Sequence, residues 1–133
     1  MIHGGWIVAP GSRATEADLL IAEGVVVGVE PHLGARIDVR HAECIDARGV
    51  LVMPGFVDPH THLIWAGDRA NEFELKMSGV PYLDILAAGG GILSTVKQTR
   101  AASMETLITQ SRSRLLRMFV HGTTTAEAKT GYG

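Results

Sequence analysis

The 133-residue sequence predicts an α/β fold in two parts, a small β unit followed by parallel strands with helical crossovers. Three observations support this prediction. Short β-branched runs separated by turn residues fill the first 50 positions. Helical periodicity appears only from about residue 69. A strand, helices and another strand then follow in an order that is typical of a parallel crossover.

The first part is predicted to contain strands only. An apolar pair at residues 7–8 comes first. Residues 18–22 and 25–29 form an expected hairpin, because both runs are rich in apolar and β-branched side chains and Gly24 between them favours a turn. Two further short strands are expected at residues 44–46 and 50–53.

The second part is predicted to be helical between its two strands. Helices are expected at residues 69–77 and 82–88, and a third begins after Ser103, a good N-cap. A final strand is expected at residues 123–128. Apolar residues at helical spacing predict a buried face on the third helix: Met104, Leu107, Ile108, Leu115, Met118 and Phe119. Its arginines are expected on the solvated face: Arg112, Arg114 and Arg117.

Composition excludes several classes of function. Twelve basic and 14 acidic residues give a net charge of −2, which does not favour nucleic acid or an anionic membrane as a partner. No apolar run reaches the length of a membrane helix, so a soluble cytoplasmic protein is expected. Cys44 is the only cysteine; an internal disulfide is therefore impossible, and we expect this side chain to be buried.

The most informative feature is a pair of histidines, His60 and His62, at the end of an apolar run that is typical of a strand. Because side chains alternate along a strand, both imidazoles are predicted to point the same way. Two such rings can bind one metal ion through neutral nitrogens. The alternative is two structural histidines held by hydrogen bonds.

Four blocks in order resemble the imidazolonepropionases, a family of metal-dependent amidohydrolases. They are IDARG with PGFVDPHTH at residues 45–62, AGDRANEFE at 66–74, AGGGILSTV at 88–96 with Thr99 and Arg100, and KTGYG at 129–133. The family usually has serine where this chain has Thr130. The resemblance implies a (β/α)8 barrel whose first two β/α units occupy residues 54–133, so the barrel is incomplete here. Residues 1–53 would be the N-terminal part of a small β-sandwich.

The resemblance also implies an activity, a cofactor and site residues. One zinc or iron ion would be held by His60 and His62, with a further histidine and an aspartate beyond Gly133. The reaction would open the imidazolone ring of 4-imidazolone-5-propanoate to N-formimidoyl-L-glutamate. Arg69 would bind the propionate tail and Tyr132 would contact the substrate. The acid/base residues are also expected beyond Gly133, so no catalytic residue is assigned within this chain.

Each of these assignments has an alternative. The alternative for Arg69 is a surface arginine at the start of a helix, and the alternative for Tyr132 is an aromatic side chain of the core. Asp58 shares the strand face with the histidines and either orients one of them or is a solvated carboxylate.

The glycines at 89–91 lack the ending of a phosphate loop, which predicts a tight or mobile turn. Lys129 follows the second barrel strand, too early to bridge two metals, so one ion is expected.

Two other functions compete with this prediction. One is another amidohydrolase, such as a hydantoinase or deaminase, against which the Arg69 block and the glycine-rich block argue. The other is a non-catalytic segment that binds a partner or packs on a remainder. The expected partner is a small-molecule substrate with a carboxylate tail, and a homodimer is a further expectation.

Overall fold

The computed structural model describes residues 1–132; Gly133, the last residue of the predicted second domain, lies outside them. The chain divides into two compact units, Met1–Pro54 and the residues from Gly55 onward. The first contains a single 3-10 turn at Leu33–Ala35 and five strands: β1 (Ile2–Ile7), β2 (Thr15–Ala22), β3 (Val25–Glu30), β4 (Ile45–Asp46) and β5 (Leu51–Val52). The second contains β6 (Phe56–Thr61), α1 (Ala70–Met77), α2 (Tyr82–Ala87), α3 (Ile92–Ala101), α4 (Met104–Val120) and β7 (Thr123–Ala128).

The five strands of the first unit form one sheet with β1 in its interior. Strands β3, β2 and β1 pair antiparallel in that order, and both β4 and β5 pair parallel with the other edge of β1. The predicted hairpin is confirmed. Glu23 and Gly24 between β2 and β3 have φ values of 50° and 75°, the two positive φ angles that a tight hairpin turn requires. Strand β1 starts earlier than its apolar residues suggest, because pairing on both edges stabilises it.

A buried carboxylate joins three segments of this unit. Asp18 is 2% exposed and accepts hydrogen bonds from the backbone N–H of Gly34 (3.0 Å) and of Gly4 (2.9 Å). Its Oδ1 also lies 2.8 Å from Nδ1 of His3. The Gly34 bond is the main cause that holds the pKa of Asp18 below its ordinary value; burial opposes this, and Gly4 and His3 add to it. Asp18 therefore ties β1, β2 and the 3-10 turn together.

The single cysteine lies outside the packed part of this unit. Cys44 is exposed, in the loop that precedes β4. The expectation that it is buried was wrong, because this loop runs over the surface.

The second unit is built on the parallel pair β6 and β7. Val57 lies opposite Thr125, and Thr61 lies opposite Ala128. The predicted parallel crossover is thus confirmed, and β7 has the bounds that the sequence predicts. None of the helices in residues 1–132 has the length and apolar character that a membrane crossing requires.

Helices α1 and α2 occur where they were predicted and end in the same way. Gly79 and Gly89 each adopt a positive φ just past the helix, at 85° and 86°. After α2, the N–H of Gly89 donates to Leu86 and the N–H of Gly90 donates to Ile85, which is the hydrogen-bond pattern of a Schellman motif. The glycine run therefore forms a tight helix end rather than a phosphate loop.

Helix α3 was not predicted. It follows Gly91 directly, and its two most buried residues are threonines, Thr95 and Thr99, each 8% exposed. The helix therefore lacks the apolar periodicity by which a sequence reveals an amphipathic helix.

Helix α4 begins as predicted, but its inward face also carries polar residues that were not expected there. Ser103 accepts a hydrogen bond from the N–H of Thr106 at 3.1 Å, which confirms the N-cap. The predicted buried face is confirmed only in part: Leu107 and Met118 are half-buried, whereas Met104 is 71% and Phe119 is 64% exposed. Ser111 and Arg114, which were not expected on this face, are also half-buried. Polar contacts of Ser111 and Arg114 with the loop after β6 fix this orientation.

Candidate metal and substrate site

The two histidines lie side by side at the end of β6. Their ring centroids are 5.4 Å apart and the ring planes are inclined by 77°. His60 is exposed and His62 is half-buried. The rings are therefore neighbours, as strand alternation predicts, and they are reachable from the carboxyl end of the strand.

His62 has a buried nitrogen that lacks a partner. Among residues 1–132, its Nδ1 is the buried side-chain nitrogen or oxygen for which no hydrogen bond is formed. Gly131 lies against it, and a Cβ at that position would overlap the imidazole ring. Native proteins satisfy nearly all buried polar groups, so this nitrogen is a group that a bound ion could satisfy.

The donor set fits a metal ion as part of its coordination shell. Imidazole nitrogens are suitable ligands for both zinc and iron. Within residues 1–132 no three His, Cys, Asp or Glu side chains come together as ligands. Because a catalytic zinc site has three protein ligands, a zinc ion on the two histidines would need further ligands from outside the described residues.

Asp58 contacts the backbone of the histidine pair rather than a ring. Its Oδ1 accepts a hydrogen bond from the backbone N–H of His60 at 3.1 Å. This contact stabilises the backbone at the end of β6. An orienting role of Asp58 toward an imidazole stays a prediction.

Arg69 and Tyr132, far apart in the sequence, line one cavity of about 180 Å³ together with Trp65, Asp68 and Thr95. The Tyr132 ring also lies 5.4 Å from the His62 ring, between centroids. Tyr132 thus links the histidine pair to the cavity that holds Arg69. The side chain of Arg69 is 48% exposed and remains accessible to a small anion.

The loop between the histidines and Arg69 is held by Arg114 of α4. The guanidinium lies over the Trp65 ring at 3.6 Å from its centroid and donates to the carbonyl oxygens of Leu63 (3.0 Å) and Trp65 (2.8 Å). Burial lowers the pKa of Arg114. The prediction that Arg114 is solvated was wrong, because backbone carbonyls of this loop satisfy its charge. Only the spacing from Leu107 and Ser111 hints at this in the sequence.

Two buried threonines of α3 complete the surroundings. Thr99 Oγ1 accepts a hydrogen bond from the N–H of Ala66 at 3.2 Å, and Thr95 lines the cavity with Arg69. Sequence reasoning missed both, since it missed their helix.

Lys129 lies 2.8 Å from Glu127 in an ion pair. That one metal ion is bound, rather than two, stays a prediction.

Comparisons with known proteins show the family to which the chain is similar. A model described as "Amidohydrolase family" matches residues 43–112. An imidazolonepropionase of Bacillus velezensis is 49% identical over 131 residues, which cover 93% of this chain. Another from Herpetosiphon aurantiacus is 59% identical over 91 residues, 68% of the chain, and one from Halobacterium salinarum is 47% identical across 100% of it.

The chain spans only part of these relatives. The matched segments cover 31% of the Bacillus protein, 21% of the Herpetosiphon protein and 34% of the Halobacterium protein. The similarity therefore extends over the whole of this chain, but over about a third or less of each relative.

Proposed function

Because the chain belongs to the amidohydrolase family, we propose that it is part of an imidazolonepropionase, which hydrolyses 4-imidazolone-5-propanoate to N-formimidoyl-L-glutamate. The observation that supports this most strongly is one arrangement of side chains. The histidine pair, with its orphaned nitrogen, adjoins Tyr132, and Tyr132 shares a cavity with Arg69. The pair that we propose to bind metal and the arginine that we propose to bind an anion thus both adjoin Tyr132.

Amidohydrolases generally use a divalent metal, and we propose one zinc or iron ion at this site. His60 and His62 would hold it, with the remaining ligands and the acid/base residues contributed by other parts of the whole protein. When bound, such an ion lowers the pKa of a water molecule so that hydroxide is available near neutral pH.

Arg69 and Tyr132 would bind and orient the substrate. A guanidinium offers two parallel N–H donors to a carboxylate, a geometry that lysine does not provide. With the propionate tail held by Arg69, the imidazolone ring would extend past Tyr132 toward the histidines. A hydantoinase or deaminase acting on a substrate without a carboxylate tail would not need an arginine here.

The test is a ring-opening assay, which follows the loss of the imidazolone together with metal content. We expect the whole protein to turn over this substrate and to lose activity when the metal is removed by a chelator. The isolated 133-residue chain should be inactive, since residues 1–132 bring no third His, Cys, Asp or Glu ligand to the histidine pair. Deamination or hydantoin hydrolysis by the whole protein, without imidazolone hydrolysis, would replace the proposal with the alternative enzyme class.

The proposal extends to location and assembly. We expect a cytoplasmic enzyme that acts on a small carboxylated molecule and forms a homodimer. Cell fractionation tests the first expectation. Light scattering of the whole protein in solution tests the second, and a monomer mass at assay concentrations would contradict it.

A further inference from the structure

Glu72 connects two motifs whose purpose the proposed function leaves open. These are the helix start that follows Arg69 and the glycine run at residues 89–91. The Glu72 side chain is only 14% exposed, although it lies in the first turn of the short helix α1. A carboxylate this buried needs partners, and Glu72 has them on both sides.

The first partner is backbone. Oε1 of Glu72 accepts a hydrogen bond from the N–H of Gly91 at 2.9 Å. The close approach depends on missing side chains, since a Cβ on Gly90 would lie 3.2 Å from Cδ of Glu72 and 2.7 Å from the carbonyl oxygen of Ile85. Gly91 itself adopts a φ of 72°. The glycine run thus gives the Glu72 carboxylate access to a backbone donor.

The second partner is the guanidinium of Arg69. Oε2 of Glu72 lies 3.8 Å from Nη1 of Arg69, close enough for electrostatic attraction but too far for a hydrogen bond. The donors of Arg69 therefore remain available to another anion. A free arginine side chain has large rotamer entropy. A fixed carboxylate beside it restricts its rotamers before a ligand binds, so less conformational entropy is lost on binding.

We propose that Glu72 is a positioning residue for substrate binding. It restricts the rotamers of Arg69, which lines the cavity shared with Tyr132, and its bond to Gly91 fixes the carboxylate that does so. This inference rests on the proposed function, because the role of Arg69 as the carboxylate-binding group is part of that function.

The test compares E72Q, E72A and the control E74Q in the whole protein. Glu74 lies on the same helix and is exposed, so E74Q should leave the kinetics unchanged. E72Q keeps an acceptor for Gly91 but removes the charge beside Arg69. We expect KM to rise roughly three- to fivefold with kcat nearly constant. An increase of this size corresponds to the upper end of the stabilisation that a partly exposed ion pair provides. E72A should raise KM at least as much and speed hydrogen exchange at the Gly91 amide.

A double-mutant cycle with R69K separates positioning from general structure. If Glu72 acts through Arg69, E72Q should add little to the KM of R69K. Equal effects of E72Q in both backgrounds would overturn the proposal, as would an unchanged or lowered KM in E72Q and E72A while R69K raises it. Absence of imidazolone hydrolysis by the unmutated protein would instead remove the proposed function and the positioning role with it. Exchange at Gly91 still reports whether the bridge exists.

Discussion

Each of the two units of the chain contains a buried polar side-chain atom, and the two atoms differ in their hydrogen bonding. In the first unit, the carboxylate of Asp18 has a partner on every side: two backbone N–H groups and a histidine ring. In the second unit, Nδ1 of His62 is buried and has no partner among residues 1–132. A satisfied buried group contributes to stability, whereas an unsatisfied one costs free energy unless a ligand supplies the missing contact.

We propose that this contrast distinguishes a structural residue, Asp18, from functional ones, His60 and His62. Substitutions at Asp18 should change stability and leave metal content unaltered. Substitutions at the histidine pair should change metal content and activity and leave the fold intact.

The largest effect is expected from H60A or H62A in the whole protein. Each should remove the metal and reduce activity to background, because each deletes a ligand at the end of a strand rather than a core side chain. Metal analysis beside a thermal melt measures both outcomes. Full metal occupancy in both variants, together with a lowered melting temperature, would identify the histidines as structural instead.

The next effect is expected from R69K in the whole protein. Lysine keeps the positive charge but lacks the two parallel N–H donors of the guanidinium. The loss of a charge-assisted hydrogen bond costs about 1.5–3 kcal/mol. This corresponds to a KM increase of roughly ten- to a hundredfold, with kcat less affected. Steady-state kinetics with the imidazolone measures it. An unchanged KM and normal turnover would show that Arg69 does not bind the propionate tail.

A smaller effect, on stability alone, is expected from D18N. The amide replaces a charged acceptor of two backbone N–H groups, which should lower the free energy of unfolding by about 1–3 kcal/mol. The exposed Asp38, which pairs with Arg40, provides the matched control: D38N should leave stability nearly unchanged. Urea unfolding at neutral pH measures both. Equal stability of D18N and the unmutated protein would contradict the structural role.

Asp18 also predicts the direction of acid sensitivity. Its folded pKa lies below the unfolded value of about 3.9, so its contribution is complete above that value. The contribution is lost as pH falls through the folded pKa. The stability difference between D18N and the unmutated protein should therefore shrink below about pH 4, and a difference that is independent of pH would argue against it.

The smallest effect is expected from R114K. Lysine cannot donate to the Leu63 and Trp65 carbonyls as a planar fork or stack on the Trp65 ring in the same way, so stability should fall by about 1 kcal/mol. The fluorescence of Trp65 should also change. Arg112 is exposed on the same helix and R112K serves as the control. Identical spectra for the two variants would show that the loop does not depend on Arg114.

Elements with a strong local signal were predictable from the sequence. The hairpin of β2 and β3 has β-branched runs around Gly24, and α4 has Ser103 as its N-cap. Helix α3 and the polar part of the inward face of α4 were not predictable in this way. Buried Thr99 and half-buried Arg114 make polar contacts with the loop after β6, and no apolar pattern marks these positions in the sequence.

The residues of the candidate site were predictable from two kinds of signal. Strand alternation places His60 beside His62, whereas Arg69 and Tyr132 were expected from the family resemblance alone. The approach of Tyr132 to His62 depends on the register of β6 and β7, in which Thr61 pairs with Ala128, and local sequence does not encode that register. The bridge from Glu72 to Gly91 depends likewise on how α2 ends. Long-range pairing and turn geometry account for the part that sequence reasoning missed.

The interior position of β1 sets the order in which the first unit can assemble. Its neighbour β2 arrives soon after it, but Ile2 also pairs with Ile45, more than forty residues further along the chain. At a synthesis rate of about 5–20 residues per second, one edge of β1 stays unpaired for several seconds, until β4 and β5 have been synthesised. The hairpin of β2 and β3 closes locally long before that. Closing the sheet around β1 is therefore the late, non-local step in the folding of this unit.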